Sequence, residues 1–247
     1  KYLVNPLLTK AKQYVGSPAL GYCVAGSIVV LKVCLRFTVL LAAALAIALP
    51  AFAGEDAAQK PLSAATLAFL ELKNVRADAP VYIRVFKEES ELEVWKARPG
   101  GRFVHVTTYP ICTWSGALGP KEVQGDHMAP EGFYSVDHDG MKPDSKYHLA
   151  LNIGYPNALD RALGRSGAFI MVHGDCKSVG CFAMTNDKIE EIYAFVREAL
   201  DGGQERVPVH VFPFRMTAAN LTRHANHAAA STWGPLKEAY NEFAKSQ

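Results

Sequence analysis

Residues 173 to 181 read HGDCKSVGC, which puts one histidine, one serine, two cysteines and two glycines into nine positions. Two chemistries draw on such a set. A thiol enzyme uses one cysteine as nucleophile and the histidine as its base, whereas a zinc site uses both residue types as ligands. A thiol of ordinary pKa, about 8.5, is only slightly ionised at neutral pH, so a nearby imidazole raises the supply of nucleophile. His173 is the histidine closest in sequence to Cys181. Gly180 has no side chain to keep a substrate carbonyl from the backbone N–H groups of Gly180 and Cys181, which would stabilise an oxyanion. Ser178 would fix the turn or donate a hydrogen bond. Together these residues describe acyl transfer through a thioester.

The zinc reading takes His173, Cys176 and Cys181, with His105, His127 or His148 as fourth ligand. Its H-x2-C-x4-C spacing matches no paired-ligand knuckle, which favours the thiol reading and an expectation of no metal. A third reading is structural: a glycine-rich strand connection closed by a disulfide from Cys176 to Cys112 or to Cys181. Of the five cysteines, Cys23 and Cys34 would leave with an N-terminal export signal. Cys112, Cys176 and Cys181 remain, and an odd count leaves at least one thiol without an internal partner. Cys112, at the end of an apolar strand, also suits a buried, inert thiol.

The elements that would hold this motif are mostly strands. VYIRVFK (81–87), ELEVWKA (91–97) and RFVHVTTYPIC (102–112) alternate or are rich in β-branched and aromatic residues, and predict an antiparallel hairpin and a third strand. GFYSVDHD (132–139), YHLALNI (147–153), AFIMVHG (168–174) and VPVHVFPF (207–214) add four more. AFIMVHG delivers His173 to its own end and Cys181 opens the next apolar stretch, so both are expected at one rim of a sheet. TNDKIEEIYAFVREALDGG (185–203) carries an N-cap candidate, apolar residues at Ile189, Ile192, Phe195, Val196 and Leu200, and a glycine stop. That pattern predicts one amphipathic helix covering a mainly β domain.

Before the strands, PLSAATLAFLELKNV (61–75) spaces Leu67, Leu70 and Leu72 as a short lead-in helix. After them, 217–229 and 234–246 predict two tail helices, with His224 and His227 at the surface and Trp233 and Phe243 buried as anchors. The chain divides into 1–53, an upstream segment and signal; 54–79, the lead-in; 80–214, the domain; and 215–247, a C-terminal helical extension.

With hydrophobic residues at 49% and charged ones at 20%, the 247 residues can bury a substantial core. The formal charge of +2 misleads, because Lys1, Lys10, Lys12, Lys32 and Arg36 precede residue 54 in a stretch without Asp or Glu. The rest holds 21 basic against 24 acidic residues, which offers no general electrostatic reason to bind nucleic acid. LKVCLRFTVLLAAALAIALPAFA (31–53) has cations, an apolar run from Phe37 to Leu49 and an Ala51-Phe52-Ala53 site, the marks of a secretory signal cut before Gly54. Its thirteen-residue run is short of the roughly 20 residues that span a bilayer, so membrane contact is expected only during export. Residues 1 to 30 are expected to be upstream sequence ahead of that signal.

The motif also resembles a known family. His173-Gly174, then Ser178-Val179-Gly180-Cys181 and Ala183-Met184, is similar to the active-site signature of L,D-transpeptidase catalytic domains (the YkuD-like family), in its YafK-type subgroup. The general family has a longer gap after its HG and usually a histidine where Val179 stands; the short gap matches the subgroup. GPKEVQGDHMAPEGFYSV (119–136) resembles the family's G-D-x-x-x-P-E-G-x-Y segment with its preceding lysine, and SKYHLALNIGYPNALDR (145–161) the subgroup's substrate-side strand and loop. The resemblance implies a β-sandwich-like catalytic domain acting on the peptide stem of peptidoglycan, with no cofactor. It implies that Cys181 attacks the carbonyl of an L-centre, that His173 is the base, and that the Gly174 carbonyl orients His173. The subgroup is associated with hydrolysis that releases protein tethered to peptidoglycan, the alternative being transpeptidation that forms cross-links or attaches protein. A noncatalytic wall-binding or zinc-stabilised module is the reading from another class. Lys121, Tyr155 and Arg161 are the candidate substrate contacts; Lys121 and Asp126 read equally as turn charges, and the loop of Tyr155 and Arg161 as a cap on the sheet. Residence in the periplasm or cell envelope follows from the export signal.

Overall fold

The computed structural model describes residues 57–247. The expected export signal lies outside the described residues. In chain order the described strands are β1 (Val81–Phe86), β2 (Glu91–Ala97), β3 (Phe103–Pro110), β4 (Gly132–Val136), β5 (Met141–Lys142), β6 (Ala150–Asn152), β7 (Met171–His173), β8 (Phe182–Ala183) and β9 (Val207–Phe212). The α-helices are α1 (Ala64–Leu72), α2 (Ala158–Ala162), α3 (Asn186–Asp201), α4 (Ala218–Arg223) and α5 (Gly234–Ala244). The strands form a five-stranded sheet, β3-β2-β1-β9-β4, and a four-stranded sheet, β5-β6-β7-β8. All neighbours are antiparallel except β1 with β9 and β7 with β8.

β1 is buried along its whole length because both its faces are covered. Val81, Ile83 and Val85 enter the main core, while Tyr82 and Phe86 lie under the C-terminal tail. There Phe243 stacks on Tyr82 with ring centroids 4.4 Å apart, and Trp233 packs edge-on against Phe214 at 5.0 Å. These two aromatic anchors are buried, as the sequence predicts. His224 is not a plain surface residue: it stacks on Phe214 and bonds Glu88 at 2.9 Å. The expected long helix after residue 217 ends at Arg223 and gives way to turns and a 3-10 turn, Ala230–Thr232.

α3 does more than cover one sheet. It packs on β1 and β9 of the first sheet and on β6 and β7 of the second. Its apolar residues recur at helical spacing through Ile189, Ile192, Phe195, Val196, Ala199 and Leu200, all buried, so the helix supplies the core between both sheets. The lead-in helix forms, but of its three leucines only Leu70 is buried; Leu72 is 85% exposed. The strand expected over 147–153 shortens to β6, and α2 and the two-residue strands β5 and β8 arise where no periodicity announced them.

Candidate active site

The site is built on the parallel pair β7 and β8. Val172 stands opposite Phe182 and His173 opposite Ala183. Paired residues share a face, and faces alternate along a strand. His173 and Ala183 therefore face one side, and Cys181 immediately precedes β8. His173 and Cys181 do not stand at one rim, since His173 ends its strand and Cys181 precedes the start of the parallel neighbour. Cys181 lies beside Met171, whose N–H meets Cys181 Sγ at 3.4 Å, while the Phe169 carbonyl lies 3.5 Å from the sulfur.

His173 is buried, 2% exposed, under the ring of Tyr147 at 4.7 Å. Its Nδ1 donates to the Gly174 carbonyl at 2.7 Å. Burial pushes the His173 imidazole below its ordinary 6.5, outweighing the upward pull of that hydrogen bond and of Asp175. Burial likewise raises the Cys181 thiol above its ordinary value, against the opposing effects of Met171 N–H, the Lys121 charge and Ser178. Both shifts favour the neutral imidazole and the neutral thiol over the ion pair. Among the described residues the hydrogen bonds of Cys181 Sγ go to Met171 and Phe169 rather than to His173. Such bonds commonly tighten only when substrate is bound.

The turn between the two residues is held tightly. Asp175 and Cys176 both adopt left-handed backbone (φ 68° and 49°), and Gly180 has φ 90°, a conformation that favours glycine. The Ser178 hydroxyl donates to the Cys181 carbonyl and accepts from the Cys181 N–H, each at 2.9 Å, so it fixes the turn as expected of one of its two readings. Gly180 N–H donates to the Ser115 hydroxyl at 2.5 Å. The oxyanion expectation is corrected here: the N–H groups of Gly180 and Cys181 are both capped by serine hydroxyls. Gly174 is required by space, because a Cβ there would lie 2.6 Å from Asn186 Oδ1 and 2.9 Å from the Tyr147 carbonyl.

Cys112 and Cys176 form a disulfide, leaving Cys181 as the free cysteine among the described residues. Cys112 is accordingly not an inert buried thiol. The bond also removes Cys176 from the zinc ligand set, and two of its candidate fourth ligands are engaged elsewhere: His148 with Glu190 at 2.7 Å and His105 with Thr108 at 2.8 Å.

Lys121 and Tyr155 point inward. Lys121 is 4% exposed, pairs with Asp126 at 2.5 Å and donates to the Val123 carbonyl. Tyr155 is equally buried and donates to the Lys121 carbonyl at 3.1 Å. Neither polar end is free to meet a substrate. Asp126 is an organising residue, accepting also from the N–H groups of Glu122, Val123 and Met128. Arg161 is outward and bonds the Pro156 carbonyl. It lines a cleft of about 410 Å³ with Asp137, Asn152 and Arg206; a second of about 450 Å³ lies between Phe133, Leu159, Leu163 and Leu236. Cys181 and His173 line neither, so cavity size is a poor guide to the chemistry here. Exposed apolar side chains flank the thiol instead, Phe169 at 69% and Val179 at 68%.

Three residues of this site were missed in the sequence. Ser115, Tyr147 and Asn186, whose Oδ1 accepts from Asp175 N–H at 2.8 Å, carry no spacing signal, because the fold alone brings them to the motif.

The L,D-transpeptidase catalytic domain model (YkuD) matches residues 80–211. The chain belongs to that family, whose members are cysteine acyl-transfer enzymes and whose substrate is peptidoglycan. It is 48% identical over 177 residues, 72% of each chain, to the Escherichia coli (strain K12) protein YafK, itself assigned only provisionally as an L,D-transpeptidase. The mainly β fold with helices agrees with that family. Among solved structures, the helical cell shape determining protein Pgp2 from Campylobacter jejuni is 22% identical with a TM-score of 0.43, covering 60% of this chain and 55% of that one. Mycobacterium tuberculosis L,D-transpeptidase 1 is 15% identical with a TM-score of 0.30, covering 54% and 62%. Both likenesses are too distant to bear on activity.

Proposed function

We propose that this protein is exported to the cell envelope and hydrolyses the link between a peptidoglycan stem peptide and an attached protein. The observation that supports it most is His173, held through Nδ1 at the end of β7, on the strand that pairs with β8 directly after Cys181, the free cysteine among the described residues. In this reading Cys181 Sγ attacks the carbonyl of the L-centre while its proton passes to His173 Nε2. The tetrahedral intermediate expels the amine, which leaves with that proton, and a thioester remains on Cys181. Water then attacks the thioester, with His173 again taking a proton and returning it to the departing thiol. Hydrolysis is favoured over cross-linking by the YafK-type motif, with its short gap and Val179. Export is favoured by the cationic and apolar pattern of 31–53.

The test is to incubate the purified protein with peptidoglycan carrying attached protein, and separately with free stem peptides, and to identify products by mass spectrometry. Released protein supports the hydrolase. New peptide linkages in place of release would make it a transpeptidase, and no product from either would turn the reading towards a wall-binding module.

A further inference from the structure

We infer that Ser115 is a positioning residue for the nucleophile, acting through the Gly180 peptide; the inference rests on the reading of Cys181 as that nucleophile. After β3 the chain runs beside the free edge of β8. The Cys112 N–H donates to the Ala183 carbonyl at 2.9 Å, and Thr113 exchanges both backbone hydrogen bonds with Ala183, at 2.8 and 3.3 Å. This strap brings Ser115 to the turn before Cys181.

The Ser115 hydroxyl accepts from Gly180 N–H at 2.5 Å and donates to the His127 carbonyl at 2.7 Å, so its two directions are both committed. The Ser115 carbonyl accepts from Ala129 N–H at 3.0 Å, which fixes the serine to the 127–129 segment on the other side. That segment is firm, since the buried Lys87 bonds the Ala129 carbonyl at 2.9 Å and pairs with Glu131 at 3.0 Å. Gly180 is the soft point of the turn, because glycine restrains neither of its torsions. It is also the residue whose torsions aim Cys181. Ser178 holds Cys181 itself; Ser115, 65 residues away in sequence, holds the residue before it. A small error in the line of attack costs far more in rate than in binding. The hydroxyl is therefore expected to govern turnover and leave affinity alone.

Ser115→Thr keeps the hydroxyl, Ser115→Val has the same shape without it, and Ser115→Ala removes it without added bulk. Turnover of a synthetic stem peptide with an amine leaving group is measured as kcat and KM, beside thermal unfolding and alkylation of Cys181 by iodoacetamide. Ser115→Val and Ser115→Ala are expected to lose about tenfold in kcat with KM unchanged, and Ser115→Thr to stay within about twofold of the parent. Alkylation, which needs no fixed approach to a carbonyl, should proceed at the parental rate in all three. A folded Ser115→Ala with full kcat, a loss confined to KM, equal kcat in Thr and Val variants, or unfolding of Ser115→Ala would each overturn the inference. Cys181→Ser is the control: turnover that survives there sinks the proposed function itself, whereas turnover lost there and kept in Ser115→Ala sinks only the role of Ser115.

Discussion

His173 Nδ1 lies 2.7 Å from the Gly174 carbonyl oxygen, and that contact decides which ring nitrogen is free. A carbonyl only accepts, so Nδ1 carries the proton and Nε2 of the neutral ring is the basic atom. Because burial lowers the imidazole below its ordinary 6.5, protonation of the base, and its loss, is shifted to lower pH than for a free histidine. The acid limb of turnover should therefore have its midpoint below 6.5, with no gain from a preformed thiolate near neutrality. In His173→Gln it should fall by about 10² to 10⁴ and lose this acid limb. The unfolded chain, whose histidine titrates near 6.5, binds the extra proton first, so the stability contributed by neutral His173 is also lost as pH falls below that value. A pH profile of kcat for parent and variant checks the first point; an acid limb well above 6.5 would contradict it.

Gly174→Ala should damage both fold and turnover. The added methyl would sit 2.6 Å from Asn186 Oδ1 and 2.9 Å from a backbone carbonyl that cannot retreat easily. Overpacking of this kind costs about 1–3 kcal/mol. Since the same residue holds His173, the loss of kcat should exceed what the shift in urea midpoint accounts for. Parental kcat in a folded Gly174→Ala would count against the anchoring role.

Removing the disulfide as Cys112→Ser with Cys176→Ser should lower stability by about 4 kcal/mol in the chain-entropy account of a loop closed over 64 residues. The thiol chemistry should survive where the protein remains folded. Cys176→Ser, mild as a change to the chemistry, is therefore not mild for the fold. Chemical denaturation and mass mapping of an alkylating label separate the two effects, with the label on Cys181 in both proteins.

Asp126→Asn should loosen the loop from Lys121 to Met128. Burial disfavours the charge, yet the Lys121 bond and the N–H groups of Met128, Glu122 and Val123 outweigh it and hold the carboxyl below its usual range. Leaving the buried Lys121 without its partner is expected to cost about 3 kcal/mol. The sign with pH follows from the lowered value: the parent keeps this stability above the ordinary 3.8 and loses it as pH falls below, whereas Asp126→Asn lacks that slope. Unfolding midpoints measured from pH 7 downwards would check it, and equal slopes in both proteins would refute it.

The parts legible in the sequence were those whose period has room to repeat. β1, β2, β3 and β9 run six to eight residues and their alternation was readable, as was the helical spacing of α3 over 16 residues. β8 has two residues, too few for any period, and its existence follows from pairing with β7. α2 carries a capping box of Asn157 and Asp160, but five residues are too short to show an apolar face. The motif marked Cys181 and His173 because chemistry-bearing residue types cluster there. Ser115 could not be found that way, since an isolated serine acquires its position only when the strap beside β8 exists. Of the two readings open for Lys121, its bond to Asp126 favours the turn charge; Tyr155 was taken for a substrate contact because a polar end in a loop looks solvent-facing until its partners are known.

Parallel neighbours are ordinarily joined by a crossover of a dozen residues or more. β7 passes to β8 through residues 174–181 alone, so the motif is itself the crossover. A residue inserted there has two destinations. Taken up by the ladder, it slips the register by one, turns Phe182 and Ala183 to the opposite faces and carries Cys181 away from its place beside Met171. Taken up by the turn, it breaks the double grip of Ser178 on Cys181. Neither leaves the thiol where it stands, and the eight-residue length is as much a component of this site as any side chain in it.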